Sequence, residues 1–303
     1  MKKVFIDGSA GTTGLRIYER LSSRRDIQLF TLSDELRKDK QARADALNSA
    51  DIAFLCLPDE AARESVSLVS NPKTAVIDTS TAHRVSPEWV YGLPELRGQR
   101  EKITASKRVA NPGCHATGFI ALIAPLVENG IVKADTKLSC FSLTGYSGGG
   151  KKMIAQYDDK ERDSLLDAPR QYGLSQKHKH LPEMTLVSGL TASPVFCPIV
   201  APYYAGMEVT VSLFDADMKA IAECYREYYH DGVIRFAEGT DEAGFISAGK
   251  FSGRDDLEVS VYGNDERILL VSRFDNLGKG ASGAAIQNMN ILIGVDEKEG
   301  LNV

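Results

Sequence analysis

Five cysteines punctuate this chain, Cys56, Cys114, Cys140, Cys197 and Cys224, and one of them has a setting that favours chemistry. Cys114 ends the turn Asn111-Pro112-Gly113-Cys114, and the apolar stretch Ala116 to Val127 that follows predicts a mostly buried helix. A thiol at a helix N-terminus meets backbone N–H groups and the positive end of the helix dipole, which favour thiolate and hence a nucleophile at neutral pH. The competing reading is a buried structural cysteine, which the Pro-Gly turn and helix start argue against. Cys56, Cys140 and Cys197 lie in apolar runs and read as core, while Cys224 lies in the helix-like stretch Ile221 to Tyr229 without chemical context.

A thiolate that attacks a carbonyl needs a partner to move protons. Lys177-His178-Lys179-His180-Leu181-Pro182-Glu183 offers two histidines two residues apart, which share a side if the piece is extended. A solvated basic loop and a metal site are the alternatives, but no further ligands stand at recognisable spacing, so no metal is expected. In the third reading one histidine transfers protons beside the thiolate while neighbouring cations hold an anionic substrate. His115 adjoins Cys114, but neighbours at a helix start usually point apart, so its role is secondary. Thr144 to Lys152 adds successive glycines and two lysines, a flexible loop or a cradle for a phosphate or carboxylate; it lacks the triphosphate-loop pattern.

The elements that must position these groups are read from the N-terminus. Val4 to Ile6 predicts a buried strand and Thr13 to Leu21 a helix, with Gly8-Ser9-Ala10-Gly11-Thr12-Thr13-Gly14 between them. Strand, glycine-rich loop and helix N-terminus together suit a dinucleotide pyrophosphate, although the spacing is GxxGxxG rather than GxGxxG. The next strand, Ile27 to Leu32, ends in Ser33, with Asp34 and Arg37 close behind. Small hydroxyls with an arginine suit a 2′-phosphate and so NADP; Asp34 keeps NAD open, and Ser33-Asp34 as a helix cap is the alternative. Further strands (Ile52 to Leu57, Thr74 to Ile77) alternate with a helix (Glu60 to Val69), which argues for a parallel, doubly wound α/β sheet. Leu57-Pro58 and Thr79-Ser80 then fall at the carboxyl ends where ligands bind.

Composition bounds the rest. The 303 residues suffice for about two domains, and 43% hydrophobic with 25% charged residues is ordinary for a globular protein. Net charge is −5, which argues against a nucleic-acid binder that relies on overall positive charge. The cysteine count is odd, the closest two are 26 residues apart (114 and 140), and no CxxC occurs, so neither a disulfide framework nor a thiolate zinc site is expected. The basic start Met1-Lys2-Lys3 is followed by an apolar run too short for a secretory signal, and Gly118 to Val127 is far short of the ~18 residues of a membrane span. A cytoplasmic protein without membrane or nucleic-acid partners is the expectation.

In combination these segments closely resemble the N-acetyl-γ-glutamyl-phosphate reductase family, in its shorter type. The resemblance runs nearly end to end: the Gly8–Gly14 loop, Ile77-Asp78-Thr79-Ser80 with Arg84, Tyr91-Gly92-Leu93-Pro94-Glu95-Leu96, the Asn-Pro-Gly-Cys turn, Gly145-Tyr146-Ser147-Gly148, His178 to Glu183, and Asp275-Asn276-Leu277-Gly278-Lys279-Gly280-Ala281. Departures are His115-Ala116 in place of an aromatic and proline, Gly149 and Lys151 where Ala and Arg are common, and Gly278 for an aliphatic residue.

The resemblance implies a fold like that of aspartate-semialdehyde dehydrogenase. A Rossmann domain spans 1–112, an α+β catalytic and oligomerisation domain 113–275, and a C-terminal segment 276–303, helical from Asn276 to Ile293, returns to the first. It implies NADPH-dependent reduction of an acyl phosphate, with Cys114 as nucleophile and His178 or His180 in proton transfer. Cofactor contacts fall to Gly8, Ser9, Gly11, Thr12, Thr13, Gly14, Ser33, Arg37, Leu57, Pro58, Ser80, Asn276 and Lys279, and substrate contacts to Arg84, Asn111, Ser147, Gly148, Lys151 and Glu183. A homodimer or homotetramer is implied, with Val209 to Phe214 and Leu257 to Val261 as candidate interface strands. The rivals are a related reductase of aspartyl or aminoadipyl phosphate and an NADP-binding sensor without turnover.

Overall fold

The short apolar runs of the N-terminal third form the buried strands of a parallel sheet. In the computed structural model, which describes residues 1–303, β1 (Lys2–Asp7), β2 (Ile27–Phe30), β3 (Ile52–Leu55), β4 (Ala75–Asp78), β5 (Val90–Tyr91) and β6 (Arg108–Ala110) pair in the order β2-β1-β3-β4-β6-β5. The connections carry α1 (Thr12–Leu21), α2 (Lys40–Ser49), α3 (Asp59–Leu68) and α4 (Gln99–Ala105). Successive strand residues feed opposite faces. Val4 and Ile6 pack with Ile17, Phe54 and Ile77, while Phe5 packs with Leu47, Ala53, Ala62 and Val76. The first cluster also takes Ala285, Ile286 and Met289 from the C-terminal helix Gly283–Ile293, which completes this α/β, doubly wound unit.

The remaining elements build a second unit. It contains α5 (Cys114–Glu128), β7 (Ser139–Gly145), α6 (Gly150–Asp158), β8 (Arg170–Gln171), α7 (Leu181–Val187), β9 (Val195–Ala201), β10 (Met207–Phe214), α8 (Met218–Tyr228), β11 (Ile234–Phe236), β12 (Leu257–Asn264) and β13 (Arg267–Phe274). Its mixed sheet runs β11-β12-β13-β10-β7-β9-β8. Register places Ser142, Val209 and Ser272 on one face. The helix α5 lies against that face, and a methyl group at Gly118 would stand 2.5 Å from Val209. Tyr225 of α8 and Tyr229, which caps its C-terminus, donate to the carbonyls of Leu122 and Ala121, fixing the two helices together.

The two units comprise residues 1–112 with 281–301, and 113–280 with 302–303. The return to the first unit therefore begins at Ala281 and not at Asn276. Helical periodicity from Asn276 overreaches because Gly278–Ser282 forms a π-helical turn before the final helix. Asn276 is itself pinned within the second unit, its Nδ2 donating to Ser147 Oγ at 3.0 Å and its Oδ1 accepting from Gly206 N–H at 3.0 Å. Strands also end early, at Phe30 and Leu55 rather than Leu32 and Leu57. Asp39, not Ser33-Asp34, caps α2, accepting from Ala42 N–H.

The end of β1 is held by a buried polar cluster. Asp7 Oδ2 accepts from Arg43 Nε and Nη2 at 3.2 Å and from Ser65 Oγ at 2.8 Å, joining β1, α2 and α3 beneath the glycine-rich loop. The loop leaves β1 through Gly8 with φ +88°, and a Cβ there would lie 2.4 Å from the Cys56 carbonyl oxygen. Gly8→Ala should thus cost roughly 1–3 kcal/mol of stability, read from the urea midpoint of the purified protein; an unchanged midpoint contradicts this account of the turn.

Candidate active site

Cys114 is the first residue of α5, and its position is fixed from both sides of the turn. Gly113 occupies the cap position, and no side chain caps the helix. Thr117 closes the first turn on the Gly113 carbonyl, through its N–H at 2.8 Å and its Oγ1 at 3.1 Å. The Gly113 N–H donates to Glu183 Oε2 at 3.2 Å, so buried Glu183 links α7 to the cysteine turn. The leading backbone amides and the dipole of a helix start favour a thiolate at this place. Gly280 packs against it so closely that a Cβ would lie 2.8 Å from Cys114 Cβ.

The histidines converge beside this turn without being extended. Leu181 N–H closes a turn on the His178 carbonyl, and His180 precedes the first residue of α7. Their ring centroids are 4.7 Å apart. His180 N–H donates to His178 Nδ1 at 3.2 Å, which leaves Nε2 as the proton-carrying nitrogen of a neutral His178. His115, set aside on sequence grounds, lies among them, 5.6 Å from each ring. It is buried, and its nitrogens bond to Ser142 Oγ and Tyr172 Oη, both at 2.7 Å. Burial, and then the charge of a protonated His178, push the His115 imidazole down to about 3. Sequence reading missed Tyr172 and Ser142 altogether. The period-two alternation of β7 pointed Ser142 inward, but nothing local announced Tyr172.

The expected substrate loop occupies the end of β7. Ser147 is buried against Asn276, Gly148 is exposed beside the same amide, and Lys151 is exposed on α6. Asn276 and Lys279, expected at the cofactor, are both buried in the second unit.

The other expected residues belong to the first unit. Gly8 and Ser9 leave β1, Gly11 precedes α1, and Thr12, Thr13 and Gly14 form its first turn. No side chain caps α1, so its leading amides are left to an anion, which fits a dinucleotide pyrophosphate. Leu57 and Pro58 lead into α3 at the carboxyl end of β3. Ser33 and Arg37 are joined through the backbone, Arg37 N–H donating to the Ser33 carbonyl at 2.9 Å, while their side chains face other groups: Ser33 Oγ lies 3.4 Å from Glu35 and Arg37 pairs with Asp34 at 3.4 Å. Ser80 Oγ donates to buried Asp78. Arg84 donates to the carbonyls of Asn111 (2.9 Å) and Thr79 (3.0 Å), and the Asn111 amide donates to Ala281 O. No group of three or more metal-ligating side chains is arranged to hold a metal ion, and no helix is long and apolar enough to cross a membrane.

A doubly wound sheet, a glycine-rich loop and a cysteine at a helix start define a semialdehyde-dehydrogenase type of protein. The NAD binding domain of semialdehyde dehydrogenase matches residues 3–106, and the dimerisation domain of semialdehyde dehydrogenase matches residues 114–276. Aspartate semialdehyde dehydrogenase II of Vibrio cholerae shares the fold at a TM-score of 0.75, with 17% identity over 97% of this chain and 99% of that one. The Candida albicans aspartate semialdehyde dehydrogenase with NADP matches at 0.69, with 17% identity over 97% and 98%. N-acetyl-γ-glutamyl-phosphate reductase 2 of a Nostoc species is 44% identical over 99% of both chains. The N-acetyl-γ-glutamyl-phosphate reductase of Brucella ovis is 44% identical over 96% of this chain and 99% of its own. The chain belongs to the N-acetyl-γ-glutamyl-phosphate reductase family. It is an oxidoreductase with a nicotinamide cofactor.

The depressed His115 has a consequence for folding. An unfolded histidine takes up its proton near 6.5, whereas buried His115 resists it down to about 3. As pH falls, the unfolded chain binds the proton first, so this residue's contribution is complete above 6.5 and is lost toward 3. In urea titrations across that window, wild type should lose stability more steeply than His115→Gln; parallel slopes contradict the assignment.

Proposed function

We propose that this protein reduces N-acetyl-γ-glutamyl phosphate to N-acetylglutamate semialdehyde and phosphate with NADPH, the reductive step of arginine biosynthesis. The observation that carries the reading is Cys114 at the uncapped start of α5 with the His178–His180 pair beside it, in a chain 44% identical to reductases of that name. The Cys114 thiolate attacks the acyl carbon, the C–O bond to phosphate breaks, and inorganic phosphate leaves with that bond's electron pair. When bound, the nicotinamide cofactor supplies the hydride that reduces the resulting thioester. The α5 amides face the oxyanion that develops on Cys114-bound carbon. One of His178 and His180 services its proton. Collapse of the hemithioacetal breaks the C–S bond, releases the aldehyde and returns the thiolate. Within the second unit, Ser147, Gly148 and Lys151 contact the substrate. The first unit is the cofactor domain and the second the catalytic one.

Ser33 and Arg37 support NADP over NAD. Both follow β2, and the Arg37 guanidinium is held only by a long surface pair with Asp34, which a 2′-phosphate can replace. A cytoplasmic location suits a nucleophile that must remain a free thiol.

The assembly is a homodimer or homotetramer formed through the second sheet. Phe141, Val195, Phe214 and Leu269 are exposed on the face opposite α5. Such an apolar face marks an interaction surface.

Two measurements test these readings. In the reverse direction, oxidation of N-acetylglutamate semialdehyde should require phosphate and run faster with NADP than NAD. Cys114→Ser should abolish it while NADP affinity stays near wild type. Preference for aspartate semialdehyde, or retained turnover in the variant, overturns the assignment. For the assembly, Phe141→Asp should lower the mass seen by light scattering to that of a smaller species; an unchanged mass places the interface elsewhere.

A further inference from the structure

His115, which the reaction as described does not use, is the hub of a ring cluster. Its ring centroid lies 5.6 Å from His178, 5.6 Å from His180, 6.1 Å from Tyr172 and 5.3 Å from Phe196. His178 in turn lies 5.8 Å from Tyr172 and 5.1 Å from Phe196. His115 adjoins the nucleophile in the chain and is bonded at both ring nitrogens. By contrast, the segment that carries the other two histidines is irregular, with Leu174 through Lys177 and Lys179 exposed.

We propose that His115 and Tyr172 are positioning residues: a neutral, doubly hydrogen-bonded imidazole fixes the Tyr172 phenol, and the two rings hold His178 and His180 in register with the start of α5. The proposal rests on Cys114 as nucleophile and the histidine pair as its proton partner.

Three observations carry it. First, a charged His115 would repel His178, and its burial keeps it neutral, so it acts as a fixed hydrogen-bonding group rather than a proton carrier. Second, Tyr172 stays a phenol, since burial and then the negative charge of Cys114 both oppose its ionisation. The same effect identifies Tyr172 as an electrostatic neighbour of the nucleophile. Because serine and tyrosine hydroxyls each donate or accept, either neutral tautomer of His115 satisfies both bonds. Third, Tyr172 packs against a small satellite core of Tyr157, Leu166 and Val200 that also takes Tyr146, next in sequence to Ser147. One side chain therefore braces both the histidine segment and the turn that leads to the substrate loop.

Tyr172→Phe removes the hydroxyl and keeps the ring in its satellite core. It should leave the thermal midpoint near wild type and NADPH affinity within about twofold, yet lower kcat about tenfold, the scale of one lost hydrogen bond. It should also shift the pH profile of Cys114 alkylation by iodoacetamide, a readout that a merely structural role would not move. His115→Gln keeps an amide in reach of Tyr172 and should retain more activity than His115→Phe. If both Tyr172→Phe and His115→Phe keep wild-type kcat and alkylation profile, or lose activity only in proportion to folded protein, the proposal fails. A failure of the underlying reading looks different: Cys114→Ser would then retain turnover, and the positioning role would fall with it.

Discussion

The proposed site depends on placing the charge of the Cys114 thiolate at the start of a helix that is otherwise almost wholly buried. From His115 to Leu126 every residue of α5 is buried, so the helix cannot drift to accommodate its first residue. What remains adjustable is the turn before it. There the Gly113 N–H donates to Glu183, which ties Cys114 to α7 and hence to His180 at its start. One buried carboxylate and one backbone amide thus link the proposed nucleophile to the segment of the proposed proton partners, His178 and His180. The helix α5 in turn lies against a seven-stranded sheet.

The first unit, the proposed cofactor domain, faces a different problem, meeting the pyrophosphate of a dinucleotide. Its answer is backbone: an uncapped α1 reached through a loop that turns at Gly8. The Asp7–Arg43–Ser65 cluster keeps the end of β1 in place below that loop. Arg43 also reaches Glu64 at 3.0 Å, so α2 and α3 are fixed by the same guanidinium. A buried arginine with carboxylates on both sides is costly to break from either side.

Local features were legible in the sequence where neighbours in the chain are also neighbours in space. The glycine-rich loop between strand and helix, Cys114 at a helix start, and the parallel order of the early strands are of this kind. The sequence misled where long-range contacts decide. Adjacent residues at a helix start do diverge, yet His115 diverges toward a segment more than sixty positions onward, and its bond to Tyr172 spans 57 residues. Periodicity from Asn276 to Ile293 hid a π-helical turn, because apolar spacing does not distinguish a five-residue π turn from α-helix. Strands read to Leu32 and Leu57 stop at Phe30 and Leu55, since the apolar residues beyond pack from loops against the same core.

The central claim is that Cys114 carries the acyl group. Mixing the enzyme with N-acetyl-γ-glutamyl phosphate in the absence of NADPH, quenching in acid and measuring intact mass tests it directly. The account predicts a mass increase of one N-acetylglutamyl group, located by peptide mapping on Cys114 and released by hydroxylamine. An unmodified protein with phosphate still released, or the acyl group on another residue, would contradict it.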